Sequence, residues 1–150
     1  MSGCDDAVVG IGKQGRISLN FIREADDAFE AISSAVKDVQ KAIPGARLVE
    51  AAPDFVGMTE LAKLYGFSRQ YVRKLIQENS DSFPLPMHDG NPSLWHLHEV
   101  SLWFQQNDKA RGALQPTLIE VSKVNMQLNL CRSFAKEPES LRDEVKELVT

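Results

Sequence analysis

Hydrophobic and polar positions change their spacing along the chain, and each change marks a new element. Ile17, Leu19 and Phe21 alternate with polar residues, the period of a half-covered strand. A glycine-containing break separates them from the apolar run of residues 7–11, so a hairpin joining 7–11 to 16–22 is expected. From residue 24 to 43 the period lengthens. Ala25, Ala28, Phe29, Ile32, Val36, Val39 and Ile43 recur at steps of three and four, one face of a helix. Glu24, Asp26 and Asp27 crowd its first turn, where the helix dipole favours acids, and Pro44-Gly45 stops it. Residues 47–51 are a short strand candidate. Residues 1–52 thus read as a small β-β-α-β unit.

The middle of the chain holds two helices with almost nothing between them. The first is Thr59-Glu60-Leu61-Ala62-Lys63-Leu64-Tyr65, with Thr59 as its expected N-cap. Gly66 ends it, since glycine enters the left-handed conformation without steric cost. Ser68 is placed to cap the second, residues 69–78. Counted from Met58, a helix-turn-helix needs apolar or small residues where Leu61, Ala62, Tyr65, Phe67, Val72 and Leu75 stand, and a glycine where Gly66 stands. Pro84 and Pro86 then exclude a helix. His88-Asp89-Gly90-Asn91-Pro92 is a turn, and Ser93-Leu94-Trp95 is read as the returning strand of a small hairpin, or wing. A helix over 97–109 follows, with Val100, Trp103 and Phe104 along one side. A long helix over 115–134 has Pro116 at its start. Leu118, Val121, Val124 and Leu128 form its stripe, widened by Ile119, Met126 and Leu130; core and dimer seam both remain open for it. A short, highly charged helix over 139–148 ends the chain. The expected fold is α+β: an N-terminal unit (1–52) for dimerisation or partner binding, a winged helix-turn-helix (53–111), and a C-terminal helical segment (112–150).

Charge sharpens one part of this picture. The 150 residues carry a net charge of −4, which argues against a protein that coats nucleic acid indiscriminately. Residues 58–111 are neutral overall, yet "GFSRQYVRKLIQ" within them holds three cations and no acid. Positive charge is focused on the second helix of the pair. With Val72, Leu75 and Ile76 facing inward, Arg69, Gln70, Arg73, Lys74 and Gln77 face outward and Ser68 sits at the tip. An α-helix fits the major groove of DNA with its N-terminal residues at the base edges. Arginine suits a bidentate contact with guanine and glutamine one with adenine; Arg73 and Gln70 are each open to reading a base or holding the backbone. Lys74 and Ser68 suit phosphates. Tyr71 is open to packing on sugar-phosphate or closing the core.

Other candidate chemistry is weaker. Gly10-Ile11-Gly12-Lys13-Gln14-Gly15 matches the dinucleotide fingerprint, but a strand pattern follows where the pyrophosphate needs a helix N-terminus, so a turn is expected. His88, His96 and His98 lack a cysteine or carboxylate set at ligand spacing, and no metal or other cofactor is expected. No nucleophile–base arrangement is legible, so an enzyme is not expected. Cys4 and Cys131 read as free thiols of a reduced intracellular protein. No apolar run approaches a membrane span.

Residues 56–104 resemble helix-turn-helix proteins of the MerR and excisionase type, small regulators of bacteria and phage. The resemblance is carried by "MTELAKLYGFSRQYVRKLIQ", then "FPLP", a Gly-containing hairpin and "LWHLHEVSLWF". It implies that Trp95 and Trp103 close the hairpin and the following helix onto the core. It also implies a second helix in the major groove and a hairpin beside the backbone or minor groove. The wing tip departs from the pattern: it has an acid and neither Arg nor Lys, leaving His88 and Asn91 as its candidate contacts. The expected function is a sequence-specific transcriptional regulator in the cytoplasm, on the nucleoid, binding double-stranded DNA as a homodimer. The alternatives are an antitoxin-like or adaptor component whose terminal segments bind a partner protein, or an excisionase-like architectural factor.

Overall fold

Local sequence signals account for most element ends in the structure, a computed structural model that describes residues 4–107, 115–136 and 139–149. Met1–Val49 forms one compact unit and Glu50–Thr150 a second.

In the first unit, β1 (Ala7–Ile11) and β2 (Ile17–Phe21) pair antiparallel, with Ala7 opposite Phe21 and Val9 opposite Leu19. Gly15 turns between them with φ 77°. The glycine fingerprint is therefore a hairpin turn. Helix α1 (Ala28–Ala42) begins later than residue 24. Asp27 is extended and its carboxylate accepts from the Glu30 amide at 2.7 Å, so the acids before Ala28 form the cap and its approach rather than the first turn. Arg23 ties the unit together. Its guanidinium grips both oxygens of Asp6 at 2.7 and 2.8 Å, reaches Asp38 and Ser34 at 2.9 Å, and lies over the Phe21 ring. The paired Asp6 carboxylate pushes the guanidinium pKa further up, and the same hydrogen bond holds Asp6 below the usual carboxylate range.

The strand expected over 47–51 does not form, so the first unit is β-β-α. A strand needs a neighbouring backbone, and Ala51 instead gives its N–H and its carbonyl to one side chain, Asn129, at 2.9 and 2.8 Å. The next strand is β3 (Phe55–Val56), in the second unit. It pairs antiparallel with β4 (Trp95–His96), Val56 opposite Trp95.

The rest of the second unit is α2 (Met58–Tyr65), α3 (Arg69–Glu78), α4 (Leu97–Gln106), α5 (Pro116–Phe134) and α6 (Glu139–Val149). Helix α2 starts at Met58, not after Thr59. Gly57 is its N-cap, and the Glu60 carboxylate reaches back to the Gly57 amide at 3.0 Å. Gly66 sits at φ 68°, ψ 27°, and the Phe67 amide bonds Ala62 O at 2.8 Å, turning the chain into α3. Leu61, Ala62, Tyr65, Val72 and Leu75 are all buried, as the helix-turn-helix spacing requires. Trp95, Trp103, Phe83, Leu97, Val100, Phe104 and Ile119 complete the same core. Trp103 and Phe83 meet edge to face with ring centres 5.0 Å apart, and Trp95 Nε1 donates to Pro84 O at 3.0 Å. The expected end of the fourth helix at residue 109, and the boundary at 111–112, lie outside the described residues.

Two expectations change in this unit. The small hairpin around the turn at 88–92 forms, but its pairing is minimal. A single bridge, His88 to Leu94, closes it, and the return strand passes on to pair with Phe55–Val56. Pro84 and Pro86 offer no amide for a longer ladder. Helix α5 also turns an unexpected face inward. Its buried line is Ile119, Ser122, Asn125 and Asn129, while Leu118, Val121, Val124 and Leu128 are only half-buried.

Candidate nucleic-acid interface

The helix-turn-helix places its functional side chains by locking the others. Val72 and Leu75 are buried and Ile76 packs against the core, which fixes the rotation of α3. Ser68, Arg69, Gln70, Tyr71, Arg73, Lys74 and Gln77 are all exposed. Ser68 has an extended backbone and its Oγ accepts from the Tyr71 amide at 3.1 Å, capping α3 as expected. Its hydroxyl proton remains available to a phosphate. Tyr71 is 43% exposed and its ring leans on Phe67, centres 4.8 Å apart. It shields the edge of the core and still presents its phenol outward. Tyr65, by contrast, is inside: it bonds Ser101 Oγ at 3.2 Å, and burial pushes its phenol pKa up.

At about 100° per residue, Gln70 and Gln77 lie opposite the buried Val72 and Leu75, Arg73 and Lys74 flank that direction on its two sides, and Arg69 lies further round on Arg73's side. That side faces a shallow hollow of about 310 Å³, which also touches Gly57, Thr59, Asn91 and Ser93. Lys74 makes a loose, exposed contact with Glu78 at 3.7 Å. Neither Arg69 nor Arg73 has an ion-pair partner among the described residues. An unpaired guanidinium on a cleft wall is ready for an anion, because no internal carboxylate must first be displaced.

The wing candidates fall apart from each other. Asn91 lies on the hollow, whereas His88 does not line it. The His88 ring lies against Gly90, where any β-carbon would collide with it. Ser93 Oγ hydrogen-bonds Gly90 O at 3.1 Å and Asp89 Oδ1 at 3.3 Å, so the tip is closed on itself.

A buried polar cluster in the same unit was not foreseen. Asp54 and His96 are almost fully buried, with His96 Nδ1 2.7 Å from Asp54 Oδ1, the carboxylate accepting. Asn129 donates to Asp54 Oδ2 at 2.8 Å, and Asn125 donates to Pro53 O at 3.1 Å. Together these bonds fasten α5 to the strand pair that precedes α2 and α4. The one sequence signal for them was Ser122, Asn125 and Asn129 at helical spacing among apolar residues. Among the described residues no three His, Cys, Asp or Glu side chains cluster to hold a metal ion. No described helix is long and apolar enough to cross a membrane. Among known proteins, no family model, no curated protein and no solved structure matches the chain.

Proposed function

We propose that the protein is a sequence-specific DNA-binding regulator of transcription, non-enzymatic, that sets α3 in the major groove. The observation that carries this reading is the exposed row Arg69, Gln70, Arg73, Lys74 and Gln77 on a helix whose opposite side is locked by Val72 and Leu75. Its net positive charge in an acidic chain confines binding to one small surface. The resemblance of residues 56–104 to MerR and excisionase helix-turn-helix regulators adds to it, and the proposal includes work on the nucleoid, in the cytoplasm.

One such module buries only about 600–1,000 Å² of protein surface, little for strong specificity, so the reading includes a second copy. Two recognition helices related by a two-fold axis would stand about 34 Å apart on a palindromic site. Helix α5 supports this. It spends its polar line inward, leaving Val121, Val124 and Leu128 half-buried and Cys131 exposed at steps of three and four. Selection of bound duplexes from a random pool tests the whole reading. A palindrome with half-sites one helical turn apart is expected. A pool that gains no motif, together with a protein that sediments as a monomer with DNA present, would overturn it.

A further inference from the structure

The geometry points to a division of labour on α3, resting on the DNA-binding reading: Arg69 and Arg73 hold a phosphodiester of the strand beneath the wing, and Gln70 reads an adenine. Arginine is the commonest reader of guanine, so composition alone would give Arg73 the base. Its position argues otherwise. Arg69 and Arg73 are one turn apart and line two hollows, the first shared with Gln70 and the second not. One of those hollows continues under the wing tip, past Asn91 and Ser93. A base edge lies at the floor of the groove, in line with the most outward residues of the helix. A sugar-phosphate strand lies at the groove's rim, to the side of the helix, where the wing stands.

Gln70 is in the first turn of α3 and opposite its buried line, the place from which a side chain reaches a base edge. Its amide matches the paired donor and acceptor of adenine. The wing itself cannot hold a phosphate by charge, because its tip carries Asp89 and no cation. The cations over that strand therefore come from α3. Glu60 also borders the hollow, and its carboxylate accepts from the Gly57 amide at 3.0 Å. The phosphate seat is accordingly between the two guanidinium groups, with Asn91 as a neutral donor from the wing side.

The test uses the full chain, titrated by anisotropy against the selected duplex, its single-base variants and a random duplex, at several salt concentrations. All the substituted residues are exposed, and the fluorescence of Trp95 and Trp103 checks that each variant is folded. Arg69→Ala and Arg73→Ala should lower affinity for every duplex by the same factor, each reducing the salt slope by about one unit. Arg73→Lys should restore the salt slope and most of the affinity, since the ammonium supplies the charge that sets the slope while giving up the guanidinium fork. Gln70→Ala should keep the salt slope and lose roughly tenfold or more of discrimination at one A·T pair. Loss of discrimination at a single base pair in both Arg73→Ala and Arg73→Lys, with random-duplex binding unchanged, would overturn the assignment. So would a Gln70→Ala protein that discriminates as well as the wild type. A wild-type chain that binds no duplex would instead remove the DNA-binding reading itself.

Discussion

The two units of this chain are held by different physics. The second has one continuous core in which Leu61, Val72, Leu97, Val100 and Phe104 are essentially sealed from water. The first has, among its described residues, a single buried side chain, Ala35, while Val9 is 59% and Ile17 51% exposed. What organises the first is Arg23, with its two carboxylates, a hydroxyl and an aromatic face. Both units contain apolar residues at regular spacing. The difference is coverage: β1 and β2 make a two-stranded sheet, too small to bury a face by itself. A recognition surface needs fixed side-chain directions, and only the unit with the sealed core supplies them.

Substitutions can break this contrast in graded steps. The largest effect is expected from Trp103→Ala, which empties the core contact with Phe83 and Phe104 and should destabilise the second unit by about 3–5 kcal/mol. Both tryptophans of the chain lie in that unit, so its unfolding is followed by intrinsic fluorescence. Hydrogen exchange at β1, β2 and α1 amides should stay unchanged if the first unit folds without the second. Next comes Asn129→Ala. It strips Ala51 of both backbone partners and Asp54 of one, and a denaturant titration should register about 2 kcal/mol. A loss under 0.5 kcal/mol would mean that the polar face of α5 is incidental.

Gly66→Ala is smaller. A β-carbon there meets no neighbouring atom, so only the positive φ opposes it, at about 1–2 kcal/mol. The loss should appear in the fluorescence midpoint and leave α1 exchange alone. The smallest effect sharpens the contrast from the other side. Arg23 holds the Asp6 carboxylate below its usual range, so its contribution is fully present above the unfolded carboxylate value. It fades as pH falls through the lowered folded value. On acidification below about pH 4, exchange in the first unit should rise before tryptophan fluorescence changes. An Arg23→Met protein, which lacks the pairing, should not show that early step.

The helix-turn-helix was legible because its requirements are local. Gly66 must turn, Ser68 must cap, and Val72 and Leu75 must fall on the side that α2 covers. Each is fixed within a span of about twenty residues by helical periodicity. The outward row from Arg69 to Gln77 follows by subtraction. The strand at 47–51 was misread, and the further pairing of the wing's return strand and the polar inward line of α5 were missed, for one common reason. In each, a backbone or polar group found its partner far away in sequence: Ala51 on Asn129, Trp95 on Val56, Asn129 on Asp54. Periodicity ranks side chains by hydrophobicity, and it therefore marked the apolar stripe of α5 and passed over its polar line.

By itself, then, the sequence determined where α2 turns into α3 and which side of α3 stays free, since those choices rest on bonds and sterics within a few residues. The tertiary structure alone decided that Asn125 and Asn129 point inward. Buried carbonyls and carboxylates must be hydrogen-bonded once water is gone, and only the folded chain brings the asparagines to them. The same is true of the hollow that sets Arg69 and Arg73 beside the wing. Their charge is written in the chain, but their direction depends on where the loop from Asp89 to Ser93 comes to rest.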